Sequence, residues 1–247
     1  MHQSFSKKVF HICMVISILV IMLFIFGMIA LRYEVEGETN LPFNISKIII
    51  VSTAKGEEKE NSQYNWDFDV IQCNDIYMSI EKNSGYNDTE VIEKIELKNF
   101  NLIKQPEKGE KVIVKPTSET GSIFSMNENN IVEELEYEGA LNTNIKQLKI
   151  GNQGGIILFR YANINLGEYK SNEEETIKHD SSLFEKIQLT KEDLYATLSF
   201  EMQITLKSEK KYQAEIELEM PIDSMVENGS GSIEITDLSN IVFKRIS

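Results

Sequence analysis

The chain has 247 residues, 25 Lys and Arg against 39 Asp and Glu, three His and two Cys, for a formal net charge of −14 at pH 7. An anion excess of that size repels phosphate backbones and argues against a nucleic-acid partner. Beyond residue 32 the only thiol is Cys73 and the only imidazole is His179, which excludes an intramolecular disulfide and a zinc centre built on several His there.

The first element is apolar. From Ile12 to Leu31 twenty consecutive residues carry no charge. At about 1.5 Å per residue a helix of that length spans the roughly 30 Å hydrocarbon core of a bilayer. A cleavable signal peptide has an apolar core of about 7–15 residues and a small-x-small exit. The exit here is Met28-Ile29-Ala30-Leu31-Arg32-Tyr33, in which only Ala30 suits a peptidase, so the run reads as an uncleaved anchor. Lys7 and Lys8 precede it, and Arg32 alone follows before Glu34, Glu36 and Glu38. The positive-inside tendency therefore puts the N-terminus in the cytoplasm. The expected organisation is a cytoplasmic tail (1–8), a transmembrane signal-anchor helix (9–32) and an extracytoplasmic region (33–247), the last built as one sandwich or as two halves meeting near 139 or 168–182. Residues 1–32 hold three of the 25 cations and no anion, which leaves 22 against 39 beyond them, a formal charge of −17.

Past the anchor, apolar and polar residues alternate with period two, the pattern of half-buried strands. Strands are expected over 43–53, 66–73, 76–82, 91–97, 111–115, 144–150, 156–162, 196–207, 212–220, 232–236 and 240–245. So many short strands point to an all-β fold, an antiparallel β-sandwich of jelly-roll-like or Ig-like type. The stretch 196–220 is the clearest hairpin: Leu198, Phe200, Met202, Ile204 and Leu206 share one face, and Thr197, Ser199, Glu201, Gln203 and Thr205 the other. Turn chemistry marks 82–85, 107–110, 208–211 and Asn228-Gly229-Ser230-Gly231. Short helices are expected at 181–186 and 190–194, the second capped by Thr190 with Asp193 three residues on. Residues 168–182, with Glu173-Glu174-Glu175, read as a polar loop.

Few residues carry a chemical signal. His179-Asp180-Ser181 are consecutive, a spacing that gives no triad geometry, so His179 reads as solvated. Cys73 follows Val70-Ile71-Gln72 in a strand pattern and reads as a buried or half-buried thiol rather than a nucleophile. Asp67, Asp69 and Asp75 flank Trp66 and Tyr77, which suggests a weak alternative in which an aromatic platform and nearby acids capture a glycan or a cation. Gly151-Asn152-Gln153-Gly154-Gly155 lacks dinucleotide-binding spacing and reads as a tight turn or a close backbone approach. Arg160 is one of only three Arg, beside 22 Lys, and shares a strand face with Ile156 and Leu158, where a guanidinium calls for a carboxylate on the same chain or on a partner. Arg160, Trp66 and Tyr77 are the candidate interaction residues. No catalytic residue, cofactor or metal site is expected; the preferred reading is a non-catalytic module that docks on another protein of the cell envelope.

Overall fold

The computed structural model describes residues 2–36, 41–59, 67–86, 89–117, 123–142, 148–171, 176–228 and 230–247. It begins with one long helix, α1 (His2–Glu36). The segment Val9–Ile29 within it is long and apolar enough to cross a membrane and none of it is buried against the rest of the protein, unlike the core helix of a globular domain.

Twelve strands follow: β1 (Phe43–Glu58), β2 (Asp67–Lys82), β3 (Ile92–Lys104), β4 (Glu110–Val114), β5 (Ile131–Val132), β6 (Leu135–Gly139), β7 (Leu148–Ile150), β8 (Gly154–Lys170), β9 (Thr197–Leu206), β10 (Lys211–Glu219), β11 (Ser230–Ile235) and β12 (Lys244–Arg245). They form two six-stranded sheets, ordered β11-β1-β2-β8-β4-β5 and β12-β10-β9-β3-β6-β7. Every pairing is antiparallel except β6 with β7. The sheets pack face to face as a β-sandwich over a shared core that runs from Phe43 to Phe243. Strands on both sides of residue 139 and of 168–182 contribute to that core.

The hairpin β9–β10 has the expected faces. Leu198, Phe200, Met202, Ile204 and Leu206 are at most 1 % exposed, opposite Leu218, Ile216, Ala214 and Tyr212 on β10. Burying each large apolar side chain is worth about 1.5–3 kcal/mol, and this face supplies a dense run of them. Its turn is tightened by Glu209, a non-glycine residue at φ +70°.

Several elements differ from expectation. The strands expected at 66–73 and 76–82 are one strand, because Gln72 and Asn74 are buried polar residues that keep the inward register. The polar stretch at 168–182 begins as strand, with β8 reaching Lys170, and Glu173-Glu174-Glu175 lie outside the described residues. The strand expected at 240–245 shrinks to β12, and the one at 144–150 is described only at β7. Four elements were not expected: a short 3-10 helix (Glu128–Asn130), β5, β6 and the helix α4 (Ile222–Asn228). The helices α2 (Ser182–Lys186) and α3 (Lys191–Leu194) fall where expected. In α3 the Thr190 hydroxyl accepts from the Asp193 N–H at 3.4 Å while the Asp193 carboxylate accepts from the Thr190 N–H at 2.7 Å, a complete capping box.

Bulges reset the alternation in β1 and in β3, where a first shift between Ile92 and Lys94 passes the inward role from Ile92 to Ile95. In β1 the register shifts between Ile45 and Lys47, so Phe43 and Ile45 point inward before it and Ile48, Ile50, Ser52 and Ala54 after it. In β3 Asn99, at φ +56°, sits in a shift between Lys98 and Asn101, which passes the inward role from Ile95 and Leu97 to Phe100 and Leu102.

Candidate functional site

Three features stand apart from a plain packed sandwich: the outer face of the β1–β2–β8 sheet, a polar row on its inner face, and a cleft at its β4–β5 edge.

On the outer face, cross-strand register brings Ile49, Tyr77 and Leu158 into one row and Val51, Asp75, Arg160 and Val114 into the next. Ile156 adjoins them and is 57 % exposed. Arg160 Nε donates to Asp75 Oδ1 at 2.6 Å and its Nη2 to Oδ2 at 3.0 Å, a bidentate pair. The guanidinium also lies 4.7 Å from the ring centroid of Phe124, itself buried. The partner of Arg160 is thus on its own chain. Burial and the adjacent Asp75 carboxylate raise the pKa of Tyr77. Trp66 lies outside the described residues.

The outer face of the other sheet has a different character. Lys94, Glu96, Lys98, Glu136, Glu138, Glu201, Glu215 and Glu217 alternate across it with Gln203 and Gln213. Lys94 bridges Glu96 at 3.2 Å and Glu136 at 3.3 Å, and Lys149 holds Glu138 at 3.0 Å.

The remaining sequence candidates are structural. Cys73 is 1 % exposed and burial pushes its thiol up to about 11, the opposite of an activated nucleophile. His179 is exposed, as a solvated side chain would be, and also makes contacts: its Nδ1 accepts from the Gly56 N–H at 3.2 Å and its ring meets Phe68 edge-on. Asp180 accepts from the Ser182 N–H at 2.9 Å. Asp67 pairs with Lys170 at 3.3 Å and Asp69 with Lys59 at 3.8 Å, so the acids near Tyr77 each have a cation. Among the described residues no group of three or more His, Cys, Asp or Glu is placed to hold a metal ion. Gly154, at φ +111°, is where an added Cβ would meet the Ile80 carbonyl oxygen at 2.3 Å, a close backbone approach.

The inner face of the same sheet carries a buried polar row that the sequence did not announce. Ser52 donates to Asn74 Oδ1 at 2.6 Å, Asn74 donates to the Tyr161 carbonyl at 3.3 Å, and Asn163 donates to the Lys108 carbonyl at 3.0 Å. Gln72 Oε1, the Tyr161 hydroxyl and Asn163 Oδ1 are buried with no partner among the described residues. Across β4, Lys111 and Ile113 sit beside Asn163 and Tyr161.

The cleft opens there, where the chain steps from β5 in one sheet to β6 in the other. Its volume is about 930 Å³, and its walls are the β3 bulge with Lys98 and Phe100, the β4 stretch from Lys111 to Ile113, and residues 131–134. Phe100 packs 5.3 Å from both Phe159 and Phe200. Lys111 reaches across the gap to donate to the Phe100 carbonyl, and burial lowers its pKa. Next to the cleft Tyr137 closes the bare edge of β8: its hydroxyl donates to the Leu158 carbonyl and accepts from the Leu158 N–H at 3.1 Å. No local motif marks Lys98, Phe100, Lys111 or Ile131; only Tyr137 had a signal, in the alternation of Leu135-Glu136-Tyr137-Glu138.

Fold and site together define a two-sheet β-sandwich behind one apolar N-terminal helix. No family model, no curated protein and no solved structure matches the chain.

Proposed function

We propose that the chain is a single-pass membrane protein, N-terminus in the cytoplasm, that holds its sandwich outside as a non-catalytic interaction module for another protein of the cell envelope. The contrast between the two outer faces carries this reading. One is a field of charges, which water solvates well; the other presents Ile49, Val51, Tyr77, Leu158 and Ile156 around an ion pair that is already satisfied. Contiguous apolar surface of that kind is where a partner gains most by excluding water. The formal −17 of residues 33–247 opposes a second copy and favours a partner whose docking surface is apolar with a neutral or basic rim.

A photo-crosslinking residue placed in intact membranes tests this directly. At position 158 it should give a single heteromeric adduct that disappears when Ile49 is changed to Glu, and at position 213, on the charged face, it should give none. Equal labelling from both positions, or an adduct with the mass of two copies, overturns the proposal.

A further inference from the structure

We propose that the cleft between the β3 bulge and β4–β5 is a binding site for an amphipathic monocarboxylate, with the Lys111 ammonium as the group that receives the carboxylate. The site is distinct from the apolar outer face and does not rest on the docking reading.

The first argument is size and lining. A volume of about 930 Å³ falls within the roughly 300–1,000 Å³ typical of small-molecule sites. The apolar part of the wall, made by Phe100, Ile113, Ile131 and Val132, is fixed to the core through the stacking of Phe100 on Phe159 and Phe200. Ile131 lines the cleft and is 37 % exposed, so it leaves apolar surface open to a ligand.

The second argument is charge. Lys111 is half-buried and, among the described residues, its hydrogen bond is to a neutral carbonyl. Among the described residues no carboxylate lies within ion-pair distance of it or of Lys98, the cleft's other cation, which donates to Gln203 at 3.4 Å, whereas Lys94, Lys149 and Lys210 elsewhere on the sandwich each hold one. A cation partly withdrawn from water and left without a counter-charge is costly, and an anion entering the cleft relieves that cost. The lowered pKa of Lys111 reflects the same desolvation.

Glu133 and Glu134 set the limit on the ligand. Both line the same cleft and are exposed, whereas Lys111 is half-buried. They repel a polyanion and tolerate a single carboxylate that passes inward to Lys111 while its apolar body rests on Ile131 and Phe100.

The test uses the full chain in lipid nanodiscs, empty nanodiscs as the blank, and three soluble probes of one shape: 4-phenylbutyrate, 4-phenylbutanamide and 4-phenylbutylammonium. Calorimetric titration should show the carboxylate binding at least tenfold more tightly than the amide, and the ammonium weakest. Lys111→Met, which keeps the aliphatic stem, should remove the preference for carboxylate over amide. If that variant loses its cooperative melt, Ile131→Asp serves instead: both probes should weaken, since they lose the same apolar contact, and the carboxylate should weaken at least tenfold more than the amide, which removes the preference. Equal affinity for carboxylate and amide, a preference that survives either variant in folded form, or no binding of the carboxylate overturns the proposal.

Discussion

Arg160 on β8 and Asp75 on β2 are directly opposite in the antiparallel register and meet through two parallel hydrogen bonds of 2.6 and 3.0 Å. Their side chains are 12 % and 21 % exposed, so the pair stands between a surface ion pair and a fully buried one. Surface pairs are worth about 1 kcal/mol or less, and breaking a buried one costs about 3–5 kcal/mol. Arg160→Ala should therefore destabilise the sandwich by about 2 kcal/mol in thermal or denaturant melts. Asp75→Ala should cost a similar amount and the double variant less than the sum. Strict additivity, or an unchanged melt, would show that the pair contributes nothing to the fold.

Cys73 gives the sandwich an alkaline limit. Its thiol is pushed from 9.0 to about 11 by burial, so in the unfolded chain it ionises first. The folded state then binds the extra proton, and stability falls as pH rises from about 9 to about 11, by on the order of 1–3 kcal/mol. Below pH 9 this contribution is fully present. Melts across that range should slope downward, and Cys73→Ala should flatten part of the slope.

Tyr137 should behave as an edge cap. Removing its hydroxyl in Tyr137→Phe leaves the Leu158 N–H and carbonyl without their partner in a buried setting. The expected cost is about 1–3 kcal/mol. Amide exchange at Leu158 should accelerate more than at Tyr161, whose strand position is covered by β4; uniform acceleration along β8 would deny Tyr137 that role.

Gly154 should resist substitution. Alanine there is strained at φ +111° and drives its methyl into the Ile80 carbonyl. Gly154→Ala should lower stability by more than the roughly 1 kcal/mol of an ordinary glycine change. A neutral melt would mean that β8 starts elsewhere.

The proposed membrane anchoring and its orientation are open to direct measurement. Protease added to intact protoplasts should remove the chain beyond Arg32 and leave the helix in the membrane. Protection of the whole chain would reverse the topology, and release of an intact sandwich without protease would identify a cleaved signal.

Composition and local pattern determined part of this molecule. The uncharged run 12–31 is legible because hydrophobicity sums over consecutive residues. The faces of β9 and β10 are legible because a strand exposes and buries by turns, and the α3 cap because Thr190 and Asp193 satisfy each other within one turn. Tertiary structure decided the rest. The shift around Ser46 and the bulge at Asn99 swap the inward set in mid-strand, so the alternation that ends at Leu97 hides a strand that continues to Lys104. Arg160 called for a carboxylate in a chain with 39 acids, and only register selects the one 85 residues away. The cleft draws on Phe100, Lys111 and Ile131, which share no motif and become neighbours because β3 bends and the chain crosses between sheets after β5. Local interactions set which face a side chain takes; long-range strand pairing sets what that face meets.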